Sequence, residues 1–517
     1  MEKLSKVFFV LLAACVCAAC GGGDDSPSAP SSSTDSGNNN NGSGTSSSKK
    51  LPQLAPNRTL AFPGADGGAA NITGGAEGDV YVVTNLNDNG PGSLRYGSTT
   101  NNRTIVFAVA GQINLQSRLT LHATNLTIAG QSAPGDGITI AGYPVYITGS
   151  NIILRYLRFR MGDQNKDNYN FKPEDGDALG GKECSRILVD HCSISYSSDE
   201  CASFSRNTNF TMQYCIVSES MKNAGHEKNA HGYGGIWGGR NASYHHNLLA
   251  HHDSRNPRFD HEYVGDAWHG PIDYVNNVVY NWGSNSTYGG EAKTTARQFH
   301  INMVGNYYKA GPSSSNRDRL LELTSYCSNC GGEAVAGLFF LDGNYVNGLP
   351  ATWENNVDSE HSKGETRDKA ELKKAALLGS RWSEGLTAMA FTESATDAYN
   401  SVLTYAGASL KRDAVDRRIV DDVKNGTGAI VDKVSDNLGY YYPALDGGTP
   451  ATDEDLDGMP DAWEMEQMQA LGVTDKTITD FKPAAYNLTS KYTNLEVYLN
   501  SLVTSTFPPA ANASAIK

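Results

Sequence analysis

The strongest constraint on this chain is a recurrence. Short apolar strands return roughly every 20 to 35 residues, with no helical period between them. The series runs through 79–84, 104–109, 126–130, 145–147, 152–159, 187–190, 210–214, 242–246, 274–280, 299–304 and 338–341. Asn, Thr or Ser leads into many of these segments, and Asn, Gly or Asp leads out. A repeat built only of strands buries its apolar face by stacking on its neighbours. The series therefore predicts an all-β stack of coils, a parallel β-helix in which each coil gives one strand to each sheet. A β-propeller would need blades of about 40 residues joined by hairpins, and hairpin dipeptides are scarce. Asparagine at the coil corners is expected to stack as a turn residue rather than to bind a ligand. The 54 glycines and 39% apolar content among 517 residues suit such a turn-rich fold.

The two ends read differently. Lys3 and Lys6 precede an apolar run over 7–14 that is too short to span a membrane in a mature protein. The run ends in Leu12-Ala13-Ala14-Cys15 and then Ala18-Ala19-Cys20-Gly21. This resembles a bacterial lipoprotein signal of the Bacteroides type, with Cys20 as the lipidated residue because glycines and acids follow it. Cys15 fits the preceding lipobox better and stays open as the lipidated cysteine, and an ordinary cleaved secretion signal is the other reading. Residues 1–20 are thus assigned to the signal and 21–52 to a disordered Ser/Asn/Gly tether. The coil stack is placed at 53–360 and a C-terminal extension at 361–517. Helices are expected over 368–377, 398–406, 413–423 and 492–499, the third with Val415, Ile419 and Val423 on one face. The expected location is secreted, or on the outer membrane or cell surface, with the membrane met only through an N-terminal lipid. The chain is expected to be a monomer. Cys192 and Cys215 read as small buried residues, whereas Cys327 and Cys330 suit a local disulfide or half a zinc site, with no second pair at finger spacing.

The net charge of −14 argues against a nucleic-acid partner. An anionic polymer would need a local basic patch or a bridging cation. Three groups of residues carry such chemistry. Asp453, Asp455, Asp457, Asp461 and Glu464 occupy positions one, three, five, nine and twelve of an EF-hand calcium loop, with Gly458 at six. Met459, at seven, would offer its backbone oxygen. The flanks do not read as a paired EF-hand, so the expected role is structural. A second acidic group, Glu174, Asp175 and Asp177 followed by Asp199 and Glu200, is separated by 22 to 26 residues. That spacing is about one coil, which would stack the acids on one wall and invite Ca²⁺. The basic partner is Ser254-Arg255-Asn256-Pro257-Arg258. Ten of the twelve histidines fall between His191 and His300. Adjacent histidines on a strand face opposite ways, so His245, His246, His251 and His252 are expected to pack and hydrogen-bond rather than hold zinc.

Several of these pieces belong together. Phe62-Pro63-Gly64-Ala65-Asp66-Gly67, Val80 to Asp88, Gly92-Ser93-Leu94-Arg95, Gly130 to Ile138, Asp190-His191-Cys192-Ser193-Ile194-Ser195, Asp199-Glu200, Arg255-Asn256-Pro257 and Tyr405-Ala406-Gly407-Ala408 resemble the pectate lyases of polysaccharide lyase family 1. The resemblance covers most of the mature chain. It implies a right-handed parallel β-helix that cleaves polygalacturonate by calcium-dependent β-elimination. It places the catalytic arginine at Arg255 and a substrate-gripping arginine at Arg258. The calcium-binding acids fall on Asp177 and Asp199, with Asp175 and Glu200 as further candidates. A further family acid would stand where this chain has Ser203. The usual substrate-binding lysine has no clear counterpart; Lys222, Lys228 and His231 all remain open.

This assignment makes chemical sense. Removing the proton at C5 of a galacturonate builds a dianionic enolate-like species, which a cation beside the carboxylate would neutralise. A second arginine adds a bidentate grip. Competing readings are a pectin lyase on methylated substrate, a glycan-binding β-helix without activity, and a hydrolase with paired carboxylates.

Overall fold

The computed structural model describes residues 50–168, 176–262, 270–328, 331–349, 357–359 and 369–507. The signal, the tether up to residue 49, Asp175 and Cys330 lie outside them. Between Asp79 and Ser359 the chain winds through three sheets of ten, nine and nine strands, and every pairing within these sheets is parallel. Each coil contributes one strand to each sheet in turn, so the expected parallel β-helix is what the chain forms.

Register makes the core. In the ten-stranded sheet Leu126, Ile152, Ile187, Phe210, Ala242, Ile272, Ile301 and Phe339 pair in sequence as one inward column. All are essentially inaccessible to solvent. The long strands of this sheet carry the apolar periodicity seen in the sequence. Many strands of the other two sheets have only two to four residues, such as Ser193–Ser195 and Arg258–Phe259. Runs that short, rich in Ser and Gly, carry no alternation to read.

The corners are held by ladders of like residues. Asn247, Asn277, Asn306 and Asn344 stack on successive coils. Each of the last three accepts, through its side-chain oxygen, from both the backbone N–H (2.9–3.0 Å) and the side-chain amide (2.8–3.1 Å) of the asparagine one coil earlier. These buried amides satisfy backbone groups that no strand partner reaches. At another corner Tyr156, His191, Tyr214 and His246 all adopt positive φ, near +50°. Their rings stack at centroid spacings of 4.8, 5.0 and 4.8 Å, each contact worth about 0.5–1.5 kcal/mol. His191 also reaches Asp190 Oδ1 at 2.7 Å and the Thr506 carbonyl at 3.0 Å. Burial opposes the Asp190 charge, but His191 and Arg155 outweigh it and hold the carboxyl down to about 2.

This corner corrects one expectation. His245 and His246 do not face opposite ways: their Nδ1 atoms are 3.0 Å apart. His246 has left the strand at φ +55°, which breaks the alternation. Neither joins a metal-ligating cluster among the described residues.

The C-terminal extension packs on the stack. Helices Ala395–Tyr405 and Ala414–Asn425 bury Val402, Leu403, Val415, Ile419 and Val423 against Ile216, Leu248, Val278 and Tyr280. Asp413 caps the second helix and Gly426, at φ +73°, ends it. The buried Arg160 binds both Asp413 and Asp416, at 3.0 and 2.9 Å. Helix Asn494–Ser501 opens on a capping box of Thr493 and Glu496. Leu495 and Leu499 pack with Val106, Ala129, Met459 and Met468. The helix expected over 368–377 spans Lys369–Ala376. Just after it Leu377 bridges to Phe339, on the last strand of the ten-stranded sheet. A helix the sequence reading did not include, Asp461–Ala470, begins inside the acidic loop. Cys184, Cys192, Cys201 and Cys215 are free and buried; Cys327 is disulfide-bonded.

Truncating one rung tests the ladder. Asn277→Ala leaves buried donors on Asn247 without acceptors, and should cost about 3 kcal/mol. A lower urea midpoint at unchanged slope is the expected outcome.

Candidate active site

Successive coils deliver the predicted residues to one edge of one sheet. Asp177 precedes strand Leu179–Lys182, and Asp199 and Glu200 precede strand Ala202–Ser205. Tyr233 lies ahead of Ile236–Trp237, and Ser254 and Arg255 ahead of Arg258–Phe259. Single parallel bridges from Glu200 to Tyr233 and from Tyr233 to Ser254 carry the sheet's pairing through these loops. The spacing of about one coil seen in the sequence is thus converted into neighbours.

Carboxylate oxygens of Asp177, Asp199 and Glu200 lie within 4.8 Å of one another. The Glu200 backbone N–H donates to Asp177 Oδ1 at 3.2 Å, which locks the two loops together. Three convergent carboxylates form a hard, all-oxygen donor set of the kind calcium takes. Asp175 lies outside the described residues. Ser203, at the position where a further acid was sought, has its hydroxyl oxygen engaged by the Ile236 N–H at 3.0 Å.

The guanidinium of Arg255 reaches into this cluster. Arg255 sits at φ +57°, forms an ion pair with Glu200 through Nη1, and lies 4.4 Å above the Tyr233 ring. Its Nε is buried without a hydrogen-bond partner. Burial first, then the charges of Tyr288, Asp253 and Asp199, push the Tyr233 hydroxyl up to about 12. Arg258 projects from the strand that follows, 3.2 Å from the buried carboxylate of Glu291.

The three candidates for a cationic substrate contact separate here. His231 points into the site, with Nε2 2.6 Å from Asp199 Oδ1. Lys222 is turned to Asp253, at 2.9 Å, one coil further on. Lys228 uses its backbone N–H to hold His226 Nδ1 at 3.0 Å. His226 stacks flat on His231, at 3.7 Å and 5°, and has its Nε2 3.9 Å from Asp199. His226, Tyr233 and Glu291 were absent from the sequence reading. Counting one coil forward from Glu200 leads to Tyr233; one coil from Arg258 leads to Tyr288, with Glu291 three residues beyond it, and His226 has no signal beyond lying in a His- and Gly-rich link.

The second acidic site lies in the C-terminal extension. Oxygens of Asp453, Asp455 and Asp457 lie within 4.8 Å of one another. The loop is shaped by its own backbone: Asp453 accepts from the N–H groups of Asp457 and Gly458, Asp457 from that of Met459, and Asp461 from that of Glu454. Gly458, at φ +88°, makes the turn. Asp461 and Glu464 occupy the first turn of the helix that follows. Burial, reinforced by the surrounding aspartates, pushes Asp457 up to about 7 and Glu464 up to about 9. Both Glu464 oxygens and Asp455 Oδ1 are buried without a hydrogen-bond partner. Such orphaned carboxylate oxygens are what a cation would satisfy.

No family model matches the chain. Individual relatives do. A probable pectate lyase C of Aspergillus fumigatus is 35% identical over 458 residues, covering 87% of this chain and 95% of the relative. The corresponding protein of Emericella nidulans is 35% identical over 457 residues, covering 86% and 93%. The chain belongs to the pectate lyase family. Among solved structures, a Bacillus subtilis pectate lyase variant covers 69% of the chain at 15% identity and a TM-score of 0.42, and 99% of its own length is matched. A pectate lyase bound to a hexasaccharide covers 69% at 16% identity and a TM-score of 0.44, again with 99% of its length matched. The family membership rests on the sequence relatives; the β-helix rests on the register described above.

The coil that carries Arg255 also carries a pH-sensitive group. His252 is fully enclosed, accepts from the Ser220 hydroxyl at 2.7 Å and donates to the Val217 carbonyl at 3.0 Å. Burial pushes it down to about 3, so the folded state keeps it neutral where the unfolded chain, near 6.5, takes up a proton. Stability from this group is complete above pH 6.5 and is lost as pH falls from there toward 3. The slope is about 1.4 kcal/mol per pH unit. Urea midpoints measured across that window should flatten in His252→Asn.

Proposed function

We propose that the protein is a calcium-dependent pectate lyase. Its substrate is polygalacturonate, the demethylated backbone of pectin, which it cuts by β-elimination at α-1,4 galacturonosyl bonds to leave 4,5-unsaturated oligogalacturonides. The supporting observation is that Arg255 lies against a three-carboxylate cluster, in a chain that shares 35% identity with named pectate lyases over nearly their full length.

Asp177, Asp199 and Glu200 are the described residues that would hold the calcium. When bound, that ion would neutralise the carboxylate next to C5 and make the C5 proton more acidic. The remaining work falls to the chain. Arg255, as the neutral guanidine, takes the C5 proton; the electrons of that C–H bond form the C4–C5 double bond as the C4–O bond breaks, and the departing oxygen is protonated from water. Guanidinium groups give up a proton only at high pH, so activity should climb toward alkaline conditions. Arg258 binds a substrate carboxylate through its forked donors. His231, whose Nε2 reaches Asp199, takes the part of the substrate-binding lysine that has no clear counterpart in this chain. Tyr233 supports the Arg255 guanidinium from below and keeps water off that face.

The loop from Asp453 to Glu464, including the Met459 carbonyl, takes a second, structural calcium and ties the C-terminal extension to the stack. The N-terminal signal places the enzyme at the cell surface or outside the cell, anchored through lipid on Cys20 and acting as a monomer.

Polygalacturonate with added calcium should yield the ultraviolet absorbance of a conjugated C4–C5 double bond, and a chelator should remove it. Arg255→Ala should lower kcat by roughly 10²–10⁴-fold, the range for removing a catalytic base, while a thermal melt still shows a cooperatively folded protein. Release of reducing ends without the chromophore would point to hydrolysis instead. For the second site, a hundredfold excess of calcium over its Kd adds about 2.7 kcal/mol of stability. Glu464→Ala should lose that increment in a thermal melt while keeping activity within about twofold of the unaltered enzyme.

A further inference from the structure

One face of the catalytic sheet carries an ordered row of side chains. Tyr146 pairs with Gly180, Gly180 with Ser203, and Arg258 with both Ile236 and Tyr288. Ser203 and Ile236 are joined by the hydrogen bond already described, which completes the row. Their neighbours along each strand, Ala202, Phe204, Trp237 and Phe259, are wholly buried in the core. By strand alternation the row therefore faces outward, and Tyr146, Ser203, Ile236, Arg258 and Tyr288 are all half-buried.

The row has two aromatic rungs with small or aliphatic side chains between them, apart from Arg258. Gly180 leaves a flat floor: a methyl group there would sit 3.0 Å from Asp177 Oδ2 and 3.2 Å from the Tyr146 ring. Tyr146 is thereby placed one coil from Asp177, with its ring beside that floor. At the other end Tyr288 lies one coil beyond Arg258, whose guanidinium carbon is 5.8 Å from its ring centre. From Tyr146 to Tyr288 is five strand steps, about 24 Å at the spacing of hydrogen-bonded strands. The next rung after Tyr288 is Glu322, a carboxylate bound to Arg319 at 2.5 Å.

We propose that Tyr146 and Tyr288 are the sugar-stacking platforms that bound the substrate groove and set where along a polygalacturonate chain the cut falls. The apolar face of a pyranose ring lies well on an aromatic ring, and a phenol is a rigid platform with little rotamer freedom to lose. Between the platforms, Arg258 and the acid cluster meet the sugar carboxylates. The reacting centre lies between the platforms: the coil of Asp177 is one step from Tyr146, and Arg255, on the coil one step before Tyr288, reaches back to Glu200. The next rung beyond Tyr288, Glu322, is buried against Arg319 and offers a sugar no aromatic face, so no platform continues that way. The enzyme therefore holds sugars on both sides of the scissile bond, and the two platforms fix which bond of an oligomer is presented.

This inference rests on the pectate lyase reading, and the experiment separates the two. Oligogalacturonates from three to eight units are digested by the unaltered enzyme and by Tyr146→Leu, Tyr288→Leu, Tyr146→Phe and Tyr288→Phe. Both rings lie on the outer face of a strand, and thermal melts check that the variants fold. Tyr146→Leu should raise KM for the octamer up to about tenfold, the effect of roughly 1.4 kcal/mol of stacking. Its kcat should hold, and its KM for the trimer should not move. Tyr288→Leu should shift the sizes of the fragments released from the octamer, and both Phe variants should match the unaltered enzyme. Octamer KM and product profile unchanged in both Leu variants would overturn the platforms while leaving the lyase intact. An unaltered enzyme that forms no unsaturated product would overturn the lyase reading itself. In that case calorimetric titration of octamer into the Leu variants still tests the platforms, which predict weaker binding than to the unaltered protein.

Discussion

Everything in this molecule depends on the parallel hydrogen-bond register that repeats from coil to coil. Because each strand pairs in step with the one before it, a side chain at one place in a coil finds its counterpart about 4.8 Å away in the next. The apolar column from Leu126 to Phe339, the asparagine ladder from Asn247 to Asn344 and the ring stack from Tyr156 to His246 are three results of this one constraint. The candidate active site is a fourth. Asp177, Glu200, Tyr233 and Ser254 are far apart in sequence, yet each stands at the start of a strand in the same sheet. A one-residue slip in any coil would send every later side chain to the wrong face. The buried ladders keep the reactive groups in line.

Because the register works this way, much of the molecule can be read from its sequence. Strands of the ten-stranded sheet are long and apolar enough to be seen one at a time. Val415, Ile419 and Val423 lie on the buried face of their helix, as their spacing required. Asp177 and Asp199 are one coil apart in sequence and become neighbours in space. What stayed hidden has physical causes. Strands of two to four residues are fixed by their neighbours above and below, not by their own composition. The pairing of His245 with His246 depends on a left-handed residue at a corner, which no periodicity announces. Lys222, Lys228 and His231 are equivalent as cations in a list. Only the path of the Gly-rich link turns His231 inward and Lys222 toward Asp253.

The two acidic clusters illustrate how one residue type serves two ends. At Asp177, Asp199 and Glu200 the carboxylates face the Arg255 guanidinium and the ring of His231. In the loop from Asp453 to Glu464 the carboxylates of Asp453, Asp457 and Asp461 are held by backbone N–H groups of the loop itself. Burial drives Glu464 up to about 9. The first cluster lies beside a guanidinium, and the second is closed in by the backbone N–H groups of its own loop.

A stack of parallel coils has two ends, and each end is an unpaired strand that could accept another strand from a second molecule. Here the last strand of the longest sheet, Leu338–Asp342, does not stay open. The backbone N–H of Leu378 donates to the Phe339 carbonyl at 2.7 Å, next to the Leu377 bridge. A segment that belongs to no coil thus occupies bonding positions where the next coil would begin. The helical extension is then more than packing: it is a terminator, and it helps keep a self-templating architecture from growing end to end into a fibre.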